Sequence, residues 1–303
     1  MMNKKQNNHL IQNYGGQALI EGVLMRGKNY LAAAMRSPNG EIIVKTEELG
    51  SLYKGKISKI PFFRGLVILW DALALGMKYL AISSNLQSET SEEKIEGASL
   101  YFSLILTILF TIGIFFVLPT LLMSFINKFW QFNIGASNLF EGLMRLILLI
   151  SYIWSIGKMK DVARVFAYHG AEHKTINAYE DGVKFNVKNV MKYPVEHPRC
   201  GTSFLITLIV LSIVIFSLLG PMSLFWRISS RVLLIPILSM FAYEIIRWFG
   251  YHTENPIVKA LVWPNLMMQK LTTREPTEDI VEVSIKAFNE LMKLEKQSGW
   301  TTA

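Results

Sequence analysis

His169, Glu172 and His173 stand at i, i+3 and i+4 of one short run, His169-Gly170-Ala171-Glu172-His173. On a helix, imidazoles four positions apart project from one face and can grip a single cation, while a carboxylate next to the second can reach a water held there. Neutral imidazole suits Zn²⁺, leaves it acidic enough to bring a bound water to a pKa of about 7, and lets a neighbouring carboxylate take the proton. The chemistry predicted is metal-assisted hydrolysis with Glu172 as general base. The plain structural alternative is a helix whose histidines and glutamate only hydrogen-bond to their neighbours.

A catalytic zinc takes three protein ligands and keeps one position open, so two histidines are incomplete. His197 is the first choice for the third, because it lies in the same polar segment, in His197-Pro198-Arg199-Cys200-Gly201, directly before an apolar run. Glu244 is the second choice. It sits about 10 Å inside another apolar run, where a carboxylate is costly enough to suggest function; an ion pair with Arg247 at i+3 is its structural alternative. His252 and Cys200 are weaker candidates, and His9 lies in a polar tail. Glu141 and Arg145, four apart, read as a structural pair, and Glu21 and Arg26 as polar strand residues ahead of site groups. Cys200 is the only cysteine, which excludes an intrachain disulfide.

These residues need a helix and a setting to hold them. For the helix, Asp161 is the expected N-cap, Val162, Val165 and Phe166 an apolar face, and Gly182 the stop. The setting follows from composition: 51% of residues are hydrophobic and 18% charged, with mean hydropathy +0.31, against about a quarter charged in soluble domains. The apolar residues cluster into four segments, 98–124, 140–157, 202–220 and 231–251, each near the roughly 20 residues that cross a bilayer as a helix. Unbroken apolar runs do not suit a transmembrane barrel. Met1 to Gln12 is polar, so no cleavable signal peptide is expected.

Lysine and arginine are distributed one-sidedly: 12 precede the first apolar run, one (Lys128) follows it, eight fall in 158–201, and only Arg227 separates the last two runs. The positive-inside rule then places both termini and the loop 158–201 in the cytoplasm of a multi-pass cell-membrane protein. The net charge of +8 is read as orientation and lipid contact, with no nucleic acid expected.

The remaining segments read as smaller pieces. Residues 1–59 form a β-rich cytoplasmic segment, with short strands in 15–27 and 30–49 around the turn Ser37-Pro38-Asn39-Gly40. Residues 60–84 form an interfacial helix, since Arg64, Asp71 and Lys78 recur every seven residues as one polar stripe. A linker at 85–97 leads to a membrane domain, 98–273, whose stretch 257–273 is interrupted by Trp263 and Pro264 and reads as re-entrant or interfacial. The C-terminal segment, 274–303, carries a cytoplasmic amphipathic helix with Ile280, Val283, Ala287, Leu291 and Leu294 on one side.

Four separated motifs, Gly15-Gly16-Gln17-Ala18-Leu19-Ile20-Glu21-Gly22-Val23-Leu24-Met25-Arg26-Gly27, His169 to Lys174, His197 to Phe204 and Thr272-Thr273-Arg274-Glu275-Pro276, together resemble the YqhQ-like family of bacterial membrane proteins. The resemblance implies a metal-dependent enzyme, a label that the 169–173 motif would explain. The H-x-x-E-H order is also similar to inverted zincins, over five residues only, so peptidase activity is not implied. The expected fold is mainly α: a polytopic membrane protein of about four transmembrane helices, one or two interfacial or re-entrant helices and a small N-terminal β-rich segment. The expected function is a hydrolase at the cytoplasmic membrane face, with His169, His173, His197 and Glu244 as ligands of a divalent metal, zinc by preference. Its partners would be the lipid bilayer and a membrane protein or peptide. The alternative is a non-enzymatic membrane factor that binds protein partners or lipids; a transporter is disfavoured, because no inverted repeat is evident.

Overall fold

Strands Gly15–Leu19 (β1), Gly22–Arg26 (β2), Tyr30–Arg36 (β3) and Ile42–Glu48 (β4) form an antiparallel meander in the order β1-β2-β3-β4. The computed structural model describes residues 14–50, 53, 55, 57–88, 97–198, 200–252 and 254–298; the polar tail with His9 and most of the 85–97 linker lie outside the described residues. β3 is buried from Leu31 to Met35, as a strand covered on both faces must be. One face presents Val23, Met25, Ala32 and Ala34 to Tyr168, Ala171, Ile280 and Phe288, and the other presents Leu19, Leu24, Leu31, Ala33 and Met35 to Tyr79. The sheet is therefore the middle layer of a helix-sheet-helix arrangement. The turn expected at 37–40 is present, with Gly40 at φ 89° and its N–H donating to the Ser37 carbonyl at 2.9 Å.

Nine helices of ten or more residues follow among the described residues: Phe63–Gln87 (α1), Ala98–Trp130 (α2), Ile134–Ile156 (α3), Lys160–Glu180 (α4), Thr202–Leu218 (α5), Leu224–Leu233 (α6), Ile235–Tyr251 (α7), Pro256–Thr272 (α8) and Glu278–Gln297 (α9). The fold is mainly helical with one small sheet, as expected. α2 and α3 are long and apolar enough to cross a membrane, with mean hydropathies of 2.5 and 1.6; α6 and α7, bent by 44°, make a third crossing if taken together. α5 has 17 residues, about 26 Å of helix against a hydrocarbon core of about 30 Å. The first half of α2, Ala98–Ile112, has no buried residue, and a π turn at Gly113–Val117 precedes Pro119. Proline supplies no N–H and its ring crowds the carbonyl four residues back, which accounts for the widened turn there.

Two local expectations are corrected. The helix that carries the histidines is not capped by Asp161: Met159 is the N-cap and Asp161 lies in the first turn, where a carboxylate favours the helix dipole. Gly182, at φ 68°, ends that helix as expected. The interruption expected at Trp263 and Pro264 does not occur, and α8 is continuous through both. Its buried residues, Val258, Val262, Asn265, Gln269 and Thr272, recur at helical spacing along contacts with α5 and α3. That packing outweighs the proline penalty.

α9 buries Ile280, Val283, Ala287 and Leu291 as expected, but also Val281, Ser284, Ile285 and Phe288, because it packs on both the sheet and α4. The two chain ends thus clamp the histidine helix between them.

Candidate metal centre

α4 is held from three sides. Lys174, buried, donates to the carbonyls of Met191 at 2.9 Å and Tyr193 at 2.6 Å and pairs with Glu275 at 2.6 Å. Thr175 and Ser284 share a hydrogen bond of 2.7 Å, and the Ser284 hydroxyl also donates to the Ala171 carbonyl at 3.1 Å. The Arg274 N–H donates to the Phe166 carbonyl at 2.9 Å, bringing the Arg274 carbonyl so close to Gly170 that a Cβ there would collide with it. Gly170→Ala is accordingly expected to destabilise the protein by about 2 kcal/mol or more. A thermal melt checks this: an unchanged midpoint would mean that the segment after α8 retreats freely.

The imidazoles are oriented by backbone. His169 Nδ1 donates to the Thr272 carbonyl at 2.9 Å, and His173 Nδ1 donates to the Val195 carbonyl. A carbonyl only accepts, so Nδ1 of each ring carries a proton and Nε2 is the nitrogen left for a ligand, the arrangement usual in a metal-ligating histidine. His169 Nε2 lies 3.2 Å from Cys200 Sγ, and the two ring centres are 4.5 Å apart. One ligand atom each from His169, His173 and Cys200 all fall within 4.8 Å of one another. Tetrahedral ligands roughly 2.1–2.3 Å from a zinc ion lie roughly 3.4–3.8 Å apart, so these donors need only small adjustments to meet on one cation. Cys200 is buried and stands before α5, where its sulfur accepts the Thr202 N–H at 3.4 Å and contacts the Thr202 hydroxyl at 3.2 Å.

Glu172 is buried at 5% exposure and accepts a hydrogen bond from the Gly16 N–H. The contact with β1 is tight, since a Cβ on Gly16 would lie 2.8 Å from the Glu172 carboxyl carbon. Burial pushes the Glu172 pKa up, against the opposing pull of His169 and His197. Burial also lowers His173, with Cys200 opposing, and lowers His197 to about 4, with Glu172 opposing.

His197 lies beside the group of three and not among its mutually close donors. Its ring centre is 5.8 Å from that of His173, and its buried Nε2 has no hydrogen-bond partner among the described residues, the Glu180 carboxylate lying 3.6 Å away. Gln269 fixes its backbone, accepting the His197 N–H at 2.9 Å and donating to its carbonyl at 2.8 Å. Glu244 is elsewhere: its carboxylate takes both nitrogens of the Arg64 fork and the Phe62 N–H at 2.9 Å. It fastens the start of α1 to α7, and its partner is Arg64, not the Arg247 one turn away. His252 stacks on Trp248 at the surface. Glu21 receives the Arg164 guanidinium and the Tyr168 hydroxyl.

A cavity of about 480 Å³ adjoins the centre, lined among others by Gly16, Arg26, Arg64, Gly201, Tyr243 and Arg247. Its lining does not include His169, Glu172, His173 or Cys200; it comes near them through Gly16, which packs against Glu172, and Gly201, which follows Cys200. Spacing ranked Cys200 among the weaker candidates and Arg26 as a polar strand residue first; the structure puts Cys200 within the donor group and Arg26 in the wall of the cavity.

A family model described as "Protein of unknown function (DUF1385)" matches residues 60–294. The chain is 36% identical over 299 residues to the "Uncharacterized protein YqhQ" of Bacillus subtilis (strain 168), with 94% of each covered. No solved structure matches. The matched range takes in His169, Glu172, His173, His197 and Cys200, and the chain belongs to the DUF1385 family.

Proposed function

We propose that this protein is a metal-dependent hydrolase working at the cytoplasmic face of a cell membrane, with His169, His173 and Cys200 as ligands and Glu172 as the proton-handling group. One observation carries the reading: two backbone carbonyls hold the Nδ1 atoms of His169 and His173, and one ligand atom from each ring lies within 4.8 Å of the other and of one buried thiol. Two nitrogens and a sulfur suit zinc and leave a fourth position open. When bound there, the cation would supply Lewis acidity and a water of pKa about 7.

The chain's own residues do the rest. Glu172, whose pKa is raised by burial, takes up a proton nearer neutrality than an exposed carboxylate, as a general base must. The Gly16 N–H holds its carboxyl in place. His197, neutral and fixed through Gln269, stands behind as a further donor whose Nε2 has no hydrogen-bond partner among the described residues. Arg26, Arg64 and Arg247 line the adjoining cavity and favour an anionic head group on a membrane-associated substrate. Four crossings, by α2, α3, α5 and the α6–α7 pair, with both termini cytoplasmic, would put outside the connections 131–133 and 219–223, which contain no Lys or Arg, and inside the basic segment 158–201.

The test is metal content. Full-length protein purified in detergent should hold about one divalent metal per chain, and the His169→Ala/His173→Ala double variant should hold little. Equal content in both removes the proposal.

A further inference from the structure

A second polar group lies at the other end of α3. Glu141 is 15 residues before Ile156, about 22 Å of helix from the end that meets the histidine helix. Its carboxylate is 1% exposed and binds three guanidiniums: Arg145 on its own helix, Arg227 at 2.8 Å and Arg231 at 3.0 Å from α6. Thr120 donates to it at 2.9 Å, and Arg231 also donates to Asn138 Oδ1 at 2.7 Å. Arg145 and Arg231 lie against the Phe216 ring, at 5.4 and 4.2 Å.

The charges do not balance. Guanidinium stays protonated in proteins, so three cations face one anion. The chain has nothing more to offer nearby in sequence: Glu141 is the only Asp or Glu between residues 97 and 160, and 202–243 contains none. Arg145 and Arg231 are 4% and 2% exposed, and Arg145 Nε is buried with no hydrogen-bond partner among the described residues. Buried cations without counter-charge are costly, the more so among apolar helices.

Beside this excess is a cavity of about 180 Å³, lined by Ser137, Asn138, Gly220, Pro221, Arg227 and Arg231. Ile134 borders it as well, so the positive end of the α3 dipole points the same way. Arg227 and Arg231, four apart on α6, line the cavity with guanidiniums, the group that matches phosphate oxygens, although Arg231 already donates to Glu141, Ser230 and Asn138 and Arg227 to Glu141 and Ser137. Phe225 and Trp226, exposed on α6, are residues of the sort that settle at head-group level. The geometry points to a binding site for a phosphate-bearing anion in this cavity, held by Arg227 and Arg231 with Arg145 behind them. The site is separate from the histidine group and does not rest on the enzymatic reading.

The source of the phosphate is a lipid head group or the free anion, and one experiment separates them. The full chain is placed in phosphatidylcholine nanodiscs and melted against inorganic phosphate, with chloride at matched ionic strength as control, and then in discs containing phosphatidylglycerol. Saturable stabilisation by phosphate in phosphatidylcholine discs assigns a free anion; stabilisation by phosphatidylglycerol alone assigns a lipid. Arg227→Gln, which leaves the Arg145 and Arg231 contacts to Glu141 in place, should weaken whichever response is seen by about tenfold or more. Phosphate and chloride acting alike together with no preference between the lipids, or a full response in Arg227→Gln, overturns the proposal. If that variant does not fold, the wild-type titrations decide alone.

Discussion

Cys200→Ala is expected to strip the metal from the purified protein, and His197→Ala to leave most of it in place. The cysteine sulfur is 3.2 Å from His169 Nε2 and belongs to the set of donors within 4.8 Å of one another, whereas the His197 ring centre is 5.8 Å from that of His173. Losing an outer partner of a metal ligand typically weakens affinity about 10–100-fold, and losing one of three ligands does more. Competition against a chromophoric chelator should therefore show zinc affinity falling by more than about a hundredfold in Cys200→Ala and by about tenfold or less in His197→Ala. The reverse order would make His197 the third ligand and Cys200 a lining residue. Undiminished binding in both would remove the centre. Melting of each variant without metal separates lost ligation from lost folding, because both side chains are buried.

The part of this site legible in sequence was the part encoded locally. His169, Glu172 and His173 share one turn, and their helix is marked by its apolar positions and by Gly182. The strands around Ser37 to Gly40 and the amphipathic spacing of α9 were legible for the same reason: each signal lies within one element. What decides the chemistry is set between elements. The proton on each imidazole is placed by the carbonyls of Thr272 and Val195, and any residue type supplies a carbonyl. Cys200 meets His169 across 31 positions because α5 begins where it does. Glu244, which looked functional as a carboxylate inside an apolar helix, is satisfied by Arg64, 180 positions away. Glu141 and Arg145 read correctly as a pair, but Arg227 and Arg231, which turn the pair into an excess of positive charge, come from a helix that no local spacing connects to them.

Acidification should cost the chelator-treated protein stability, and His197→Gln should remove much of that cost. Burial lowers the folded-state pKa of His197 from 6.5 to about 4. Between those values the unfolded chain binds a proton that the folded chain refuses, so the contribution is intact above pH 6.5 and is lost as pH falls toward 4. A displacement of that size corresponds to about 3 kcal/mol. His173, also lowered by burial, works in the same direction. Glu172 works against both: its raised pKa lets the folded state keep a proton that the unfolded chain gives up, a contribution present at low pH and lost as pH rises from 4.5. The wild-type profile mixes the three, so the quantity to measure is the difference in unfolding free energy between wild type and His197→Gln at about pH 7 and about pH 4.5. Wild type should lose more on acidification, by about 2–3 kcal/mol. Glu180, 3.6 Å from His197 Nε2, supplies the opposite outcome: if it paired with a charged imidazole, the folded-state pKa would rise and acid would favour wild type over the variant. A difference that grows with acid in that sense, or one that does not change with pH, would show that His197 is not held neutral, and the orphaned Nε2 would no longer be a donor waiting for a ligand.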